Sequence, residues 1–253
     1  MSNRSARPLT ARSIIASTLL GTHPPRMPAA LLVRSCELFG LSENAARVAL
    51  TRMAAAGELT VDDSRYELVG RLRDRQRRQD QSRRGLDSTT AWDGTWRLGV
   101  VTGEARTAAD RAELRRILAQ HRFAEWREGV WARPDNLDAK AAIDPTACDV
   151  VPGCRPPHPK ALAARLFMVR TWSEQARRLI EDIERMQRSL QPANGRALPA
   201  AFVLNADVLR HLQADPLLPV DLLSSGWPGR RLRDRYEQFD QIFQSVWRNH
   251  LRR

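Results

Sequence analysis

The sequence predicts an α+β protein that combines an N-terminal winged helix-turn-helix, a ferredoxin-like middle domain and a C-terminal helical domain. Three patterns lead to this prediction. Three helical stretches and a short hairpin begin the chain, a strand–helix–strand–strand order follows, and long amphipathic helices fill the end. The length of 253 residues also favours several domains over one. We expect boundaries at 1–70 for the winged helix, 71–90 for an Arg-rich helical connector, 91–159 for the middle domain and 160–253 for the helical domain.

The first two helices are separated by a break that contains prolines. Residues from Thr10 to Leu20 have the pattern of a helix with one apolar side. The segment from Gly21 to Pro25 ends this helix, because two adjacent prolines cannot continue it. Pro28 suits the first turn of a second helix, which we expect to end at Gly40.

The third helix has the most informative pattern. Ser42 is a good N-cap, and Gly57 supplies the left-handed residue that ends the helix. The inward face has apolar residues at helical spacing, namely Ala46, Ala49, Leu50 and Met53. The outward face carries Asn44, Arg47, Val48, Thr51 and Ala55, with Arg52 at its edge. Small residues on both faces would let this helix approach another molecule closely.

A short hairpin follows the third helix. Leu59 and Val61 alternate with polar residues, Asp62–Ser64 form a turn, and Tyr66 and Leu68 alternate on the way back. Three helices followed by a hairpin predict a winged helix-turn-helix, whose third helix enters the major groove of DNA while the wing touches backbone or minor groove. The alternative is a small α+β domain without DNA contact.

The middle of the chain predicts a small sheet covered by a helix. A strand runs over Trp96–Val100, a helix over 107–121, a returning strand over Gly129–Ala132 and another strand over Asp149–Val151. This order is typical of a ferredoxin-like unit. The proline-rich stretch 152–159 indicates a linker that ends the unit.

The last third of the chain predicts helices over Ser173–Leu190, Leu198–Leu212 and Arg231–His250. The final helix has apolar residues at near-heptad spacing, namely Leu232, Tyr236, Phe239, Phe243 and Val246. That stripe is either core, which we favour, or the seam of an oligomer.

The chain is strongly basic, with a net charge of +12 and an isoelectric point near 11.1. The charge is +6 over residues 1–90, +1 over 91–160 and +5 over 161–253. Such a surplus points to nucleic acid first, and to acidic small molecules or anionic membranes as alternatives. The densest run is seven arginines between positions 71 and 84, which is either a solvated helical connector or a phosphate-contacting segment beside the DNA reader.

Several classes of protein are not indicated. No apolar run reaches the length of a membrane span, and Met1–Pro8 lack a secretory signal. Three cysteines are too few for a disulfide scaffold and favour the reducing cytoplasm. Cys148, Cys154 and His158, with Asp144 and Asp149 nearby, miss the spacing of a zinc site, so we expect no metal and no cofactor. Catalytic motifs such as a P-loop or a nucleophile elbow do not occur.

Four segments resemble the PaaX-type transcriptional repressors, a family that represses phenylacetate-degradation genes. The third-helix segment 42–53 has a serine start and an Arg-x-x-Leu-Thr-Arg core, and Trp92–Arg97 is similar to the segment that enters the family's central sheet. Gly129–Trp131 is similar to its returning strand. The C-terminal signature is matched by 215–229, which includes Asp-Pro-Leu-Leu-Pro and Trp-Pro-Gly. The four segments stand in the family's order, and the match is looser at Glu58–Leu59 and Phe167–Trp172.

The resemblance implies a winged helix, a middle domain similar to the small CRISPR-associated nuclease, and a C-terminal helical part for effector binding or dimerisation. It also implies a homodimer on a palindromic operator in double-stranded DNA. Release from the operator would come from a small-molecule effector, an acyl-CoA thioester such as phenylacetyl-CoA.

Five residues are the predicted DNA-binding set: Asn44, Arg47, Thr51, Arg52 and Arg65. An arginine such as Arg47 can bond a guanine through two hydrogen bonds, and the Thr51 methyl can touch a thymine. Asn44 suits adenine or phosphate, and Arg52 suits phosphate. Arg65 follows the turn of the wing and would reach phosphate or the minor groove. For each arginine the alternative is a solvated surface charge.

Effector binding is predicted at Trp96, Arg97, Trp131 and Arg133, because arginine and aromatic side chains suit the phosphates and the flat adenine of an acyl-CoA. The alternative for the tryptophans is a place in the core. A second candidate set contains arginines that would hold phosphates or simply cap and solvate the last helix, namely Arg230, Arg231, Arg233 and Arg235.

We therefore expect a cytoplasmic, ligand-responsive, DNA-binding repressor of a catabolic operon, without catalysis and without a membrane partner. An alternative is a nucleic-acid-processing enzyme built on the middle domain. The resembling nucleases hold a metal through an aspartate at the end of their first strand, whereas this strand ends Val100-Val101-Thr102-Gly103 without a carboxylate. A further alternative is a protein-interaction module that does not bind DNA.

Overall fold

The computed structural model describes residues 9–85, 89–102, 107–137, 148–190 and 195–252. The sequence predictions at Met1–Pro8, Gly103 and Asp144 lie outside these residues. The helices are α1 Ala11–Leu20, α2 Ala29–Glu37, α3 Glu43–Ala55, α4 Gly70–Arg83, α5 Ala108–Gln120, α6 Pro159–Leu166, α7 Val169–Ser189, α8 Leu198–Gln213 and α9 Gly229–Arg252. The strands are β1 Arg26–Pro28, β2 Leu59–Asp62, β3 Arg65–Leu68, β4 Trp96–Val100, β5 Ala124–Arg127, β6 Val130–Pro134 and β7 Asp149–Cys154.

The chain divides into two compact units, and neither is one continuous stretch. Unit 1 contains Met1–Arg83, Leu179–Gln213 and Arg233–Arg253, and unit 2 contains Arg84–Arg178 and Ala214–Leu232. By sequence, unit 1 has a net charge of +8 and unit 2 of +4, so most of the basic surplus belongs to the unit with the three N-terminal helices. The domain boundaries proposed from the sequence stay a prediction.

Unit 1 begins as the winged helix that the sequence predicts. The α1–β1–α2–α3–β2–β3 order ends in an antiparallel sheet of strand order β1-β3-β2. Thr10 caps α1 through a capping box, and Ser42 caps α3 by accepting a hydrogen bond from the Ala45 amide at 3.2 Å. The wing turns at Asp63 and Ser64, which both have positive φ angles of 45° and 56°. That backbone suits a two-residue hairpin loop.

Strand β1 was not predicted. It is only three residues long, and of these the sequence analysis assigns only Pro28, to the first turn of the second helix. It pairs with β3, with Met27 opposite Tyr66, so a tertiary partner rather than a local pattern makes it a strand.

The C-terminal helices complete the core of unit 1. The Phe39 ring meets the Phe202 ring of α8 edge to face at 5.1 Å, and Phe202 stacks on Trp247 of α9 at 5.3 Å. The stripe on α9 is core, as we favoured, because all five of its members are at most 4% exposed. The Arg-rich helix α4 also packs on this unit through one face, made of Leu72, Gln76, Gln79 and Ser82.

Unit 2 contains a four-stranded antiparallel sheet of order β5-β6-β4-β7. This is the strand order of a ferredoxin-like unit and confirms the predicted fold class. Helix α5 packs on one face, where a Cβ at Gly99 of β4 would lie 3.0 Å from the Cys148 sulfur and 3.6 Å from Leu118. A side chain at Gly99 would therefore crowd the Cys148 sulfur, while it would meet Leu118 of the helix at ordinary contact distance.

The opposite face of the sheet is covered by α6 and by the 3-10 turn Val220–Leu222. Trp96, Ala132, Leu162 and Leu222 form the cluster between these layers. Helix α6 and strand β5 were not predicted. The proline-rich stretch was interpreted as a linker, but Pro152 lies within β7 and Pro159 begins α6, where a proline needs no N–H partner.

Candidate nucleic-acid interface

Helix α3 buries one face and leaves the other open. Ala46, Leu50 and Met53 are at most 1% exposed, which anchors the helix in unit 1. The predicted contact residues of α3 all lie exposed, namely Asn44, Arg47, Thr51 and Arg52. The structure thus brings these four side chains together on one accessible helix face, while their roles toward DNA stay a prediction.

Arg47 already has a partner within its own helix. Its guanidinium lies 2.7 Å from Oε1 of Glu43, one turn earlier, and both side chains are more than half exposed. An exposed pair of this kind is weak. Arg47 can therefore exchange Glu43 for a guanine edge or a phosphate without a large cost.

Thr51 donates its hydroxyl to the Arg47 carbonyl at 3.1 Å. The hydroxyl is thereby engaged by the helix backbone, and the methyl group is the part left for a thymine contact. Val48 adds a second apolar group, because it is 40% exposed on the same helix. Val48 lies on the outward face that the sequence predicts, but the predicted contact set contains only polar side chains and omits it.

The wing has mixed charge. Arg65 is exposed at the start of β3 and stands opposite Asp62 in the strand register. Asp62 in turn pairs with Arg26 at 2.6 Å, while Asp63 lies in the turn. Arg65 is thus the cation at the wing tip, and two carboxylates beside it would repel phosphates that approach from other directions.

Helix α4 adds a cluster of arginines that sequence spacing alone could not reveal. The pKa of the Arg75 guanidinium is lowered, first by partial burial and then by repulsion from neighbouring cations. Those cations are Arg210, Arg78 and Arg12. Arg12 comes from α1, where it pairs with Glu58, and Arg210 from α8, where it pairs with Asp207. Three helices of unit 1 thus contribute arginines near Arg75, and positive charge of this kind favours phosphate.

The four predicted effector residues do not form one site. Trp96 is 1% exposed and belongs to the cluster under α6, whereas Trp131 is 8% exposed and belongs to the cluster under α5. The two rings therefore lie on opposite faces of the sheet. Their burial favours the core role that was the alternative, although the effector assignment itself stays a prediction.

Arg97 and Arg133 lie opposite each other on β4 and β6, on the face that α5 covers. Arg97 is paired with Asp135 at 2.6 Å. Arg133 is 6% exposed, lies over the Phe123 ring at 5.3 Å and donates one long hydrogen bond, of 3.4 Å, to the Pro134 carbonyl. Burial lowers the pKa of Arg133 to about 10, because few nearby groups offset the lost hydration of the charged guanidinium.

Metal-binding groups do not gather in the described residues. Cys148 is buried and Cys154 is half-buried. Within the described ranges, no three His, Cys, Asp or Glu side chains lie where they could hold a metal ion.

The end of β4 bears on the alternative of a nuclease. Val100 ends the strand, and Asp149 of β7 lies opposite it in the register. A carboxylate therefore lies beside the end of β4, but it belongs to β7 and not to β4 itself. Asp149 is the functional candidate that the sequence analysis missed here, because register is not visible in one sequence.

No helix of the described chain is long and apolar enough to cross a membrane.

Comparisons with known proteins agree with the two folds. Residues 10–72 match the family described as PaaX-like protein, and residues 89–148 match the one described as PaaX protein central Cas2-like domain. A solved structure of the uncharacterized protein Rv0674 from Mycobacterium tuberculosis is 38% identical, with a TM-score of 0.74, and the alignment covers 95% of this chain and 98% of that one. A comparison with curated proteins gave no match. The chain belongs to the PaaX-like protein family, whose members are generally transcriptional regulators.

Proposed function

We propose that this protein is a cytoplasmic, DNA-binding transcriptional repressor of a catabolic operon. The observation that carries the proposal is the exposed face of α3, where Arg47, Thr51 and Val48 lie together on a helix that is capped and anchored for insertion into a major groove. Membership of a family of regulators supports it.

The contact residues take separate roles in this proposal. Arg47 reads a base edge, Asn44 reads adenine or phosphate, and the Thr51 methyl contacts a thymine. Arg52 and Arg65 bind phosphate. The arginine cluster around Arg75 adds phosphate contacts outside the groove, which would raise affinity without adding sequence preference.

The regulator acts as a homodimer on a palindromic operator and is released by a small anionic effector, for example an acyl-CoA thioester such as phenylacetyl-CoA. Three parts of this proposal rest on the family resemblance, namely repression rather than activation, the dimer and the class of effector. The proposed division of the chain at residues 70, 90 and 159 belongs to the same proposal, as does the absence of catalysis.

Footprinting of the full chain on the DNA upstream of its own gene and of neighbouring catabolic genes tests the proposal. We expect one protected palindrome, and a band shift that acyl-CoA thioesters reverse. Uniform binding to all DNA with no protected site would contradict operator recognition. Protection that no anionic effector reverses would contradict the ligand response.

A second candidate function is metal-dependent cleavage of nucleic acid by the ferredoxin-like sheet. Asp149 beside the end of β4 is the observation that favours it. Labelled DNA and RNA incubated with Mg²⁺ or Mn²⁺ decide the matter. Cleavage that the Asp149→Ala variant loses would support this function, and intact substrate with the unaltered chain would reject it.

A further inference from the structure

A surface cavity in unit 2 has the lining of a ligand site. Its volume is about 560 Å³, within the roughly 300–1,000 Å³ usual for small-molecule pockets. It lies where the loop before β4, the first turn of α6 and the 3-10 turn Val220–Leu222 meet. The lining residues that matter here are Trp92, His158, Lys160, Asp221 and Leu222.

One side of the cavity is apolar and fixed. Leu222 is 6% exposed and belongs to the core cluster of the sheet, and Trp92 packs against that cluster. The Trp92 indole N–H donates to the Thr95 carbonyl at 2.6 Å. Because this donor is already used, Trp92 offers the cavity an apolar ring surface held in a defined orientation, which suits a flat aromatic group.

The other side of the cavity is cationic. Lys160 is exposed, and within the described chain its ammonium group makes no ion pair. Lys160 lies in the first turn of α6, where the Pro159 nitrogen carries no hydrogen and the side chain of the N-cap His158 makes no capping hydrogen bond. The first backbone bond of this helix runs from the Leu162 amide to the His158 carbonyl. An anion at this wall would meet the lysine charge together with unused amide groups.

Asp221 adds a constraint on the ligand. Its exposed carboxylate lines the cavity with Lys160 but belongs to the 3-10 turn. A ligand with a second negative charge at this wall would be repelled, whereas a hydroxyl or amino group would find an acceptor. The lining therefore favours an anionic group at Lys160 and a hydroxyl or amino group at Asp221.

We propose that this cavity binds a flat aromatic ring that carries one anionic group, with the ring against Trp92 and Leu222 and the anion at Lys160. An aryl carboxylate has this chemistry. As the site of the effector, the cavity rests on the proposed function. Binding itself is measured without DNA, so the two proposals can fail separately.

Calorimetric titration and thermal shift of the full chain test the site. The probe is phenylacetate, with cyclohexylacetate lacking the aromatic ring and phenylacetamide lacking the charge. We expect saturable binding of phenylacetate and about tenfold weaker binding of both matched analogues.

Variants assign the binding to this cavity. Lys160→Gln should weaken binding of the aromatic anion about tenfold, and Lys160→Arg should retain the binding. Arg170→Gln, which removes a surface charge whose side chain is 92% exposed, is the matched control and should change nothing. Trp92→Phe keeps a ring in place, and Trp92→Leu should lose binding. If the Leu variant unfolds, the Lys160 series decides alone.

The outcomes separate the two proposals. No saturable binding of phenylacetate, or equal binding by the Lys160→Gln and unaltered chains, overturns this inference even if an operator is found. Lys160-dependent binding by a chain that protects no DNA sequence supports the site and overturns the proposed function instead.

Discussion

Arg83, the last residue of α4, places its Nη2 atom 2.8 Å from Oδ2 of Asp240 on α9. The same guanidinium pairs with Glu237 at 2.8 Å and lies 5.1 Å from the centre of the Tyr236 ring. Asp240 also accepts from the Asn205 amide of α8 at 2.9 Å. The helix that follows the wing is thus bound to both C-terminal helices of unit 1 by one polar cluster.

Removal of Asp240 should destabilise the protein strongly. The Asp240 side chain is 10% exposed and that of Arg83 is 23% exposed, so Asp240→Ala would leave a poorly solvated guanidinium with only the exposed Glu237 carboxylate, and the Asn205 amide without its acceptor. We expect a loss of about 3–5 kcal/mol in the free energy of unfolding. Urea denaturation measures it. Glu237→Gln is the control, because that carboxylate is 53% exposed and its loss should cost about 1 kcal/mol or less.

Gln76 of α4 should be costly to replace. Its amide donates to the carbonyls of Leu20 at 3.1 Å and Thr22 at 2.9 Å, where α1 ends, and the residue is 1% exposed. Gln76→Leu would leave buried carbonyls unpaired, and we expect about 1–3 kcal/mol less stability. The exposed Gln81 of the same helix provides the matched Gln81→Leu control, and an equal loss for both variants would contradict this role.

Arg47→Ala should weaken binding to the operator by about 1–3 kcal/mol and relax the sequence preference, because a base contact carries both. Gel-shift titration against the operator and against point variants of it measures both effects. Arg52→Ala should instead weaken all sequences about equally. Unchanged affinity of the Arg47 variant would remove that residue from the set that reads bases.

Glu43→Gln should tighten binding to the operator. In the free protein the Glu43 carboxylate holds Arg47, and near DNA it would also repel phosphates. The variant frees the guanidinium and removes the repulsion, so its advantage should shrink as the salt concentration rises. Weaker binding at low salt would show that Glu43 positions Arg47 for the base instead.

Arg133→Met should raise stability, by about 1 kcal/mol or more, because a buried cation with little compensation costs more than an apolar side chain of similar length. Its folded pKa, about 10, lies below the ordinary value of an arginine. The penalty is therefore fully present below about pH 10 and shrinks as the pH rises above that value. Thermal melts at neutral pH measure the gain, with Arg127→Met on the exposed strand β5 as control, and a lower melting temperature would contradict it.

The winged helix could be predicted because its signals are local. Ser42, the spacing of Ala46, Leu50 and Met53, and the hairpin after Gly57 each determine structure within one turn or one strand. The exposed face of α3 followed from the same spacing. Strand β1 could not be predicted, because only pairing with β3 makes those three residues extended.

The effector residues show where strand patterns stop being informative. Alternation correctly separates the two faces of β4 and β6, but it does not say which face another layer covers. Trp96 faces α6, a helix that was not predicted because it begins in a proline-rich stretch. The cavity beside Trp92 and Lys160 depends on the same helix, so no sequence pattern pointed to it.

Unit 1 is assembled from three separate stretches of chain, and this has a consequence during synthesis. The winged-helix segment leaves the ribosome about 170 residues before the C-terminus that completes its core. At roughly 5–20 residues per second, that interval lasts on the order of 10–30 s. Until then Phe39 lacks the ring of Phe202, and Arg83 lacks the carboxylate of Asp240. A nascent or truncated chain would therefore be a poor competitor for the operator, and only finished molecules would regulate.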